Sequence, residues 1–82
     1  MTGALTFRAV RLALHGLGGY RTVQTVEDAA ECLLNHWPTH KGRVYDAACE
    51  IILGALNGQY TAEAARAALI TAADEATIEI IE

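Results

Sequence analysis

Apolar positions alternate along the first part of the chain, recur at helical spacing through its middle, and alternate again at its end. From Phe7 to Leu14 the set Arg8, Val10, Leu12, Leu14 interleaves with Phe7, Ala9, Arg11, Ala13, so a strand is expected, with apolar members on both faces. Ala9, Val10, Leu12 and Ala13 also fit one side of a short helix, the competing reading of this stretch. His15-Gly16-Leu17-Gly18-Gly19 then supplies glycines that accept positive φ, and Tyr20-Arg21-Thr22-Val23-Gln24 is rich in β-formers. The pattern predicts a β-hairpin over residues 5–24.

Thr25 before Val26-Glu27-Asp28 has the form of a helix start: a hydroxyl at the N-cap and acids in the first turn, near the positive end of the helix dipole. Val26, Ala29, Ala30, Leu33, Leu34 and Trp37 make one stripe, and Pro38 drives Trp37 out of the α region, so the first helix covers about 26–37. Val44, Ala47, Ala48, Ile51, Ile52, Ala55 and Leu56 form the cleanest amphipathic pattern, closed by Asn57-Gly58, and predict a helix over about 43–57. A third, alanine-lined helix follows Thr61 over about 61–76, with Ala62, Ala65, Ala68, Leu69, Ala72, Ala73 and Ala76 inward. Thr77-Ile78-Glu79-Ile80-Ile81 is β-branched and predicts a C-terminal strand over 77–81. The expected order is ββαααβ in a single α+β domain spanning residues 1–82, with three helices packed on one face of a three-stranded sheet.

Composition narrows the function. The chain has 82 residues, 52% of them apolar and only 20% charged, which excludes a disordered polymer and fits one modest core. Its net charge of −4 and single lysine disfavour nucleic acid as a partner, because phosphate binding needs clustered Lys and Arg. The charge is uneven, however: Arg8, Arg11 and Arg21 give residues 1–24 a charge of +3, and the remainder carries −7. A basic hairpin is therefore one candidate surface. No apolar run reaches the ~20 residues of a membrane helix, no leader is evident, and two cysteines outside any Cys-x-x-Cys pair fit a reducing compartment. A cytoplasmic protein with no membrane attachment is expected.

Several side chains carry chemistry in principle. Cys32, His36, His40 and Cys49 are the ligand types of a zinc site, but Pro38 interrupts the helix before His40 and Cys49 sits beside an apolar stripe, so no metal and no cofactor are expected. Cys32 and His36, at i and i+4, are the one nucleophile and base pair available; they lack an evident third group and pocket, and the chain has no serine. Gly16-Leu17-Gly18-Gly19 leads into a strand and lacks a Lys-Ser/Thr, which suits a turn and not a phosphate loop. Trp37, Pro38 and Tyr45 flank the connection between the first two helices and are candidate interface anchors, alongside Phe7 and Val10 on the first strand. The competing role for Trp37 and Tyr45 is simply to fill the core. Arg66 is expected to pair structurally with an acid such as Glu63 or Glu31.

Phe7-x-x-Val10, Arg21-x-Val23, Glu27-x-Ala29-Ala30-Glu31-Cys32-Leu33-Leu34 running into Trp37-Pro38, Gly42-x-x-Tyr45-x-x-Ala48, Ala55-Leu56-x-Gly58, Ala65-Arg66 and Ala72-Ala73-x-Glu75-Ala76 together resemble the domain of unknown function 982 family, short proteins of rhizobia and related bacteria. The likeness covers nearly the whole chain, and the Trp-Pro and Ala-Arg elements are its most specific parts. It implies a glycine where Thr77 stands, an aromatic near Leu69, and a larger aromatic than Phe7 with a proline in the first strand. It implies no catalytic residue.

Three function classes stay open on these grounds. The first is a protein-interaction or regulatory domain acting by surface recognition on a protein partner the sequence does not name. The second is an anion or nucleic-acid accessory module using Arg8, Arg11 and Arg21, and the third a small enzyme with a Cys/His site. A homodimer whose contact includes the first strand is expected, because helices on one side of the sheet leave its other face and both edges uncovered.

Overall fold

The computed structural model describes residues 5–14, 19–38 and 41–81. The elements are β1 (Thr6–Leu14), β2 (Gly19–Thr25), α1 (Val26–Glu31) continued by a π-helical turn (Cys32–His36), α2 (Arg43–Leu56), α3 (Ala62–Glu75) and β3 (Ile80–Ile81). The α+β order ββαααβ is as the pattern predicts. The strands form one antiparallel sheet in the order β2-β1-β3, so β1 is its centre. The helices cover one face: α1 and α3 touch the strands, and α2 packs chiefly on α3 and then on α1. The glycine loop at 15–18 lies outside the described residues.

The register explains which side of β1 faces the core. Val10 pairs with Val23 and Leu12 with Arg21 and Ile80, placing these side chains toward the helices, where Val10, Leu12 and Val23 are fully buried. Arg11 pairs with Thr22 and Ile81, and these are exposed on the open face. Between Thr6 and Val10 the ladder slips, so that Phe7, Arg8 and Ala9 stand against the single residue Gln24. This bulge breaks the simple alternation, and Phe7 packs partly buried against the core. The apolar open face expected from strict alternation is therefore replaced by a mainly polar one.

Local chemistry sets the helix ends. Thr25 Oγ1 accepts from the Asp28 amide at 3.0 Å and Thr61 Oγ1 from the Ala64 amide at 3.0 Å, so both expected hydroxyl caps are formed. At the end of α2 the amides of Gly58 and Gln59 donate to the carbonyls of Ala55 and Gly54, with Gly58 at φ 85°. Thr77 and Ile78 make the same pair of bonds to Asp74 and Ala73 at the end of α3, with Thr77 at φ 56°. Both are Schellman turns, one built on glycine and the other on a β-branched residue. The turn corrects the expected strand over 77–81: Thr77 reverses the chain, Ile78 tucks into the core, and only Ile80–Ile81 pair with β1.

A second correction concerns Leu34. A regular α-helix would place it on the inner stripe, but the i→i+5 bonding of the π turn shifts the phase, leaving Leu34 53% exposed while Leu33 and Trp37 are buried. Trp37 then adopts φ −77°, ψ 142°, as a residue before proline prefers. Leu56, the last member of the α2 stripe, is also exposed.

Candidate functional site

The five residues expected at an interface divide sharply. Val10 is completely buried, Trp37 is 4% and Tyr45 9% exposed, Phe7 is half-buried, and only Pro38 is open to solvent. Trp37 and Tyr45 do come together, but as walls of one small cavity beside the core. The Tyr45 hydroxyl donates to the Leu33 carbonyl at 2.7 Å, so α2 satisfies an end of the widened turn, and burial pushes that hydroxyl up to about 12.

The three hairpin arginines do not share a face. Arg11 is exposed on the open side of the sheet and Arg8 on the bulge, whereas Arg21, directly across from Leu12, lies on the helix side. There its Nη2 is 3.0 Å from Glu31 Oε1 and its Nε donates to Cys32 Sγ at 3.2 Å. Part of the expected basic charge is thus paired within the chain, at its surface, with an acid of α1. The Nε of Arg66 donates to the Arg8 carbonyl at 3.0 Å, fastening α3 to the β1 bulge.

Cys32 and His36 differ in exposure. The Cys32 thiol is buried, and desolvation raises its pKa although Arg21 opposes the shift, which leaves it the neutral thiol and a poor nucleophile at neutral pH. His36 sits half-exposed, its Nε2 4.0 Å from Glu31. Cys49 lies apart on α2, partly buried, and His40 is outside the described residues. No group of three or more His, Cys, Asp or Glu gathers as a metal would need among the described residues, and none of their helices is long and apolar enough to cross a membrane.

Among the described residues, two concavities stand out. One is an open apolar groove of about 430 Å³ between α2 and α3, lined by Val44, Ala47 and Ile51 from one helix and Ala64, Ala67 and Thr71 from the other, with Arg43 at one end. The breadth of the α2 stripe was its signal: seven apolar positions exceed what one helix contact needs, and Val44, Ala47 and Ile51 fall on the side away from Ile52. The other is a more enclosed cavity of about 140 Å³ at the start of α2, lined by Trp37, Tyr45, Val44, Ala72 and Ala76, with Lys41 and Glu75 supplying charge. Gly42, at φ 117°, forms the N-cap of α2 without a side chain, and nothing stands within 4 Å of where its Cβ would be. Lys41 carries no motif, and Glu75 stands in the family-like Ala72-Ala73-x-Glu75-Ala76 element with no role attached to it.

A three-stranded sheet with β1 at its centre, two helices against it and a third outside them defines a small α+β domain with its recesses on the helical side. The chain belongs to the family described as "Protein of unknown function (DUF982)", whose model matches residues 8–80. No curated protein and no solved structure matches it.

Proposed function

We propose that this domain acts by surface recognition, and that its recognition surface is the α2/α3 groove, through which it pairs with a second copy of itself. The observation that carries the reading is the groove: an apolar channel outside the core, floored by alanines that let another helix approach closely. The first strand is a poor alternative, because β1 already has a neighbour on each edge and its largest apolar side chains face inward. A second copy is favoured by the order of charges on α2. Antiparallel pairing of two α2 helices about Ala47 brings Arg43 of each copy beside Glu50 of the other, one ion pair at each end of an apolar seam.

Sedimentation equilibrium at micromolar concentration tests this. The expected mass is twice the chain; Ala67→Arg should yield a folded monomer, Arg43→Glu should weaken the dimer, and adding Glu50→Arg to it should restore affinity. A single-chain mass throughout, or a dimer indifferent to Ala67→Arg, overturns the reading.

A further inference from the structure

The groove between α2 and α3 is apolar along its length and polar at one end. A short turn joins the two helices, and Val44 and Ala72 share the wall of the smaller cavity, so the helices lie antiparallel with the start of α2 beside the second half of α3. Arg43 and Thr71, the polar side chains of the groove's lining, therefore stand at the same end, and Ala47, Ile51, Ala64 and Ala67 lead away from them. Arg43, Ala47, Ala67 and Thr71 are all exposed, so this lining is open to a ligand from solvent. A cation and a hydroxyl followed by apolar wall is the polarity of an amphiphile with a negatively charged head.

The dimensions set the length of the tail. From Arg43 to Ile51 the helix rises about 12 Å, which is the extent of a chain of about ten carbons. A cavity that just takes benzene allows roughly 25 Å³ per non-hydrogen atom, so a carboxylate of that length needs about 300 Å³. The groove offers about 430 Å³. We infer that the α2/α3 groove binds a medium-chain fatty carboxylate, its head on Arg43 and the Thr71 hydroxyl and its tail along the alanine floor, and that the bound acid displaces the second copy. The displacement rests on the pairing proposed above, whereas the binding does not. Tail and partner helix cover the same wall, and the head takes the guanidinium that otherwise meets Glu50 of the other copy, so the groove holds one or the other.

Decanoate, titrated below its micelle-forming concentration into the isotope-labelled chain, should shift the methyl resonances of Ala47 and Ala67 saturably. Over the same range the sedimentation mass should fall from two chains to one. Hexanoate, which leaves part of the wall uncovered, should bind at least about tenfold more weakly, and so should decanol, which lacks the charge. Arg43→Gln should bring decanoate down to the affinity of decanol. Ala67→Leu, at an exposed position, should fill the groove and weaken both ligands while the spectrum elsewhere stays native. No saturable shift overturns the inference, as does decanol or decyltrimethylammonium binding as tightly as decanoate, or a dimer that persists at saturating decanoate. A single-chain mass before any ligand is added overturns the pairing and the displacement with it, and the methyl shifts then decide the binding on their own.

Discussion

Thr77 and Gly58 occupy the same position in two copies of one turn, and only one of them suits it. An L-residue in the left-handed region costs about 1–2 kcal/mol, and a β-branched side chain is the least tolerant of it. Glycine avoids that cost but loses about 0.5–1 kcal/mol through the greater freedom of the unfolded chain. Thr77→Gly should therefore stabilise the protein by about 0.5–1 kcal/mol, and Gly58→Thr should destabilise it, both read as shifts in the urea midpoint. The resemblance to the family implies a glycine at this position, from which Thr77 departs, whereas the alternation of Thr77-Ile78-Glu79-Ile80-Ile81 predicts a strand. Alternation alone does not distinguish an extended segment from a turn that returns an apolar residue to the core, as Ile78 shows. Tyr45 gives a second prediction at this scale. Its folded pKa is about 12 against an ordinary value of 10, so its contribution is complete below pH 10 and fades as pH rises toward 12, because the unfolded chain ionises first. The decline, at most about 1.4 kcal/mol per pH unit, should be absent in Tyr45→Phe. At neutral pH that variant should be less stable by about 1 kcal/mol, for the bond to Leu33.

The helices show how far local rules reach. Their starts were legible because Thr25 and Thr61 act within their own first turns, and Thr25→Ala should cost about 1 kcal/mol, measured by chemical denaturation. An unchanged midpoint would mean that another group satisfies the Asp28 amide. The ends of α2 and of the first helix were legible for the same reason, from Gly58 and from Trp37-Pro38. The π turn was not. It arises where Leu33 and Trp37 are both buried and Tyr45, from another element, takes the Leu33 carbonyl, a demand made by residues distant in sequence. The bulge in β1 was hidden likewise: Phe7 and Val10 are three apart, which alternation assigns to opposite faces, and only the slipped pairing with Gln24 lets both meet the core.

For the whole molecule, placing β1 at the sheet centre decides which substitutions the domain survives. A chain of this length has a total stability on the order of 4–12 kcal/mol. Leu12→Ala removes a fully buried side chain from the central strand and should cost about 3–5 kcal/mol, a large part of that total. Val10→Lys puts a charge at a completely buried position and should abolish cooperative unfolding, so it tests folding and not association. Arg11→Lys, one residue away on the open face, should shift stability by less than about 0.5 kcal/mol. Circular dichroism melts of the three variants separate these outcomes. The strand order and both recesses were beyond sequence reasoning, since each is made by elements that meet only after folding. Trp37 and Tyr45 were singled out for their size, but Lys41 and Glu75, which line the same cavity, come from a connection and from the far end of α3.

The two edges of β1 also differ in when they can form. β2 follows β1 closely and can zip onto it as a hairpin, whereas Arg11 meets Ile81 only after all three helices intervene. Closing that long loop is slow and yields a two-residue strand in return. The last strand should therefore dock late in folding and detach early in native-state fluctuations, opening one side of the central strand without melting the helices. The Ala13 amide, which donates to the Glu79 carbonyl at 3.0 Å, reports on that event. Its hydrogen exchange should be faster than that of core amides in α3 and insensitive to Thr25→Ala, marking the seam between the two ends of the chain as the place where the domain first comes apart.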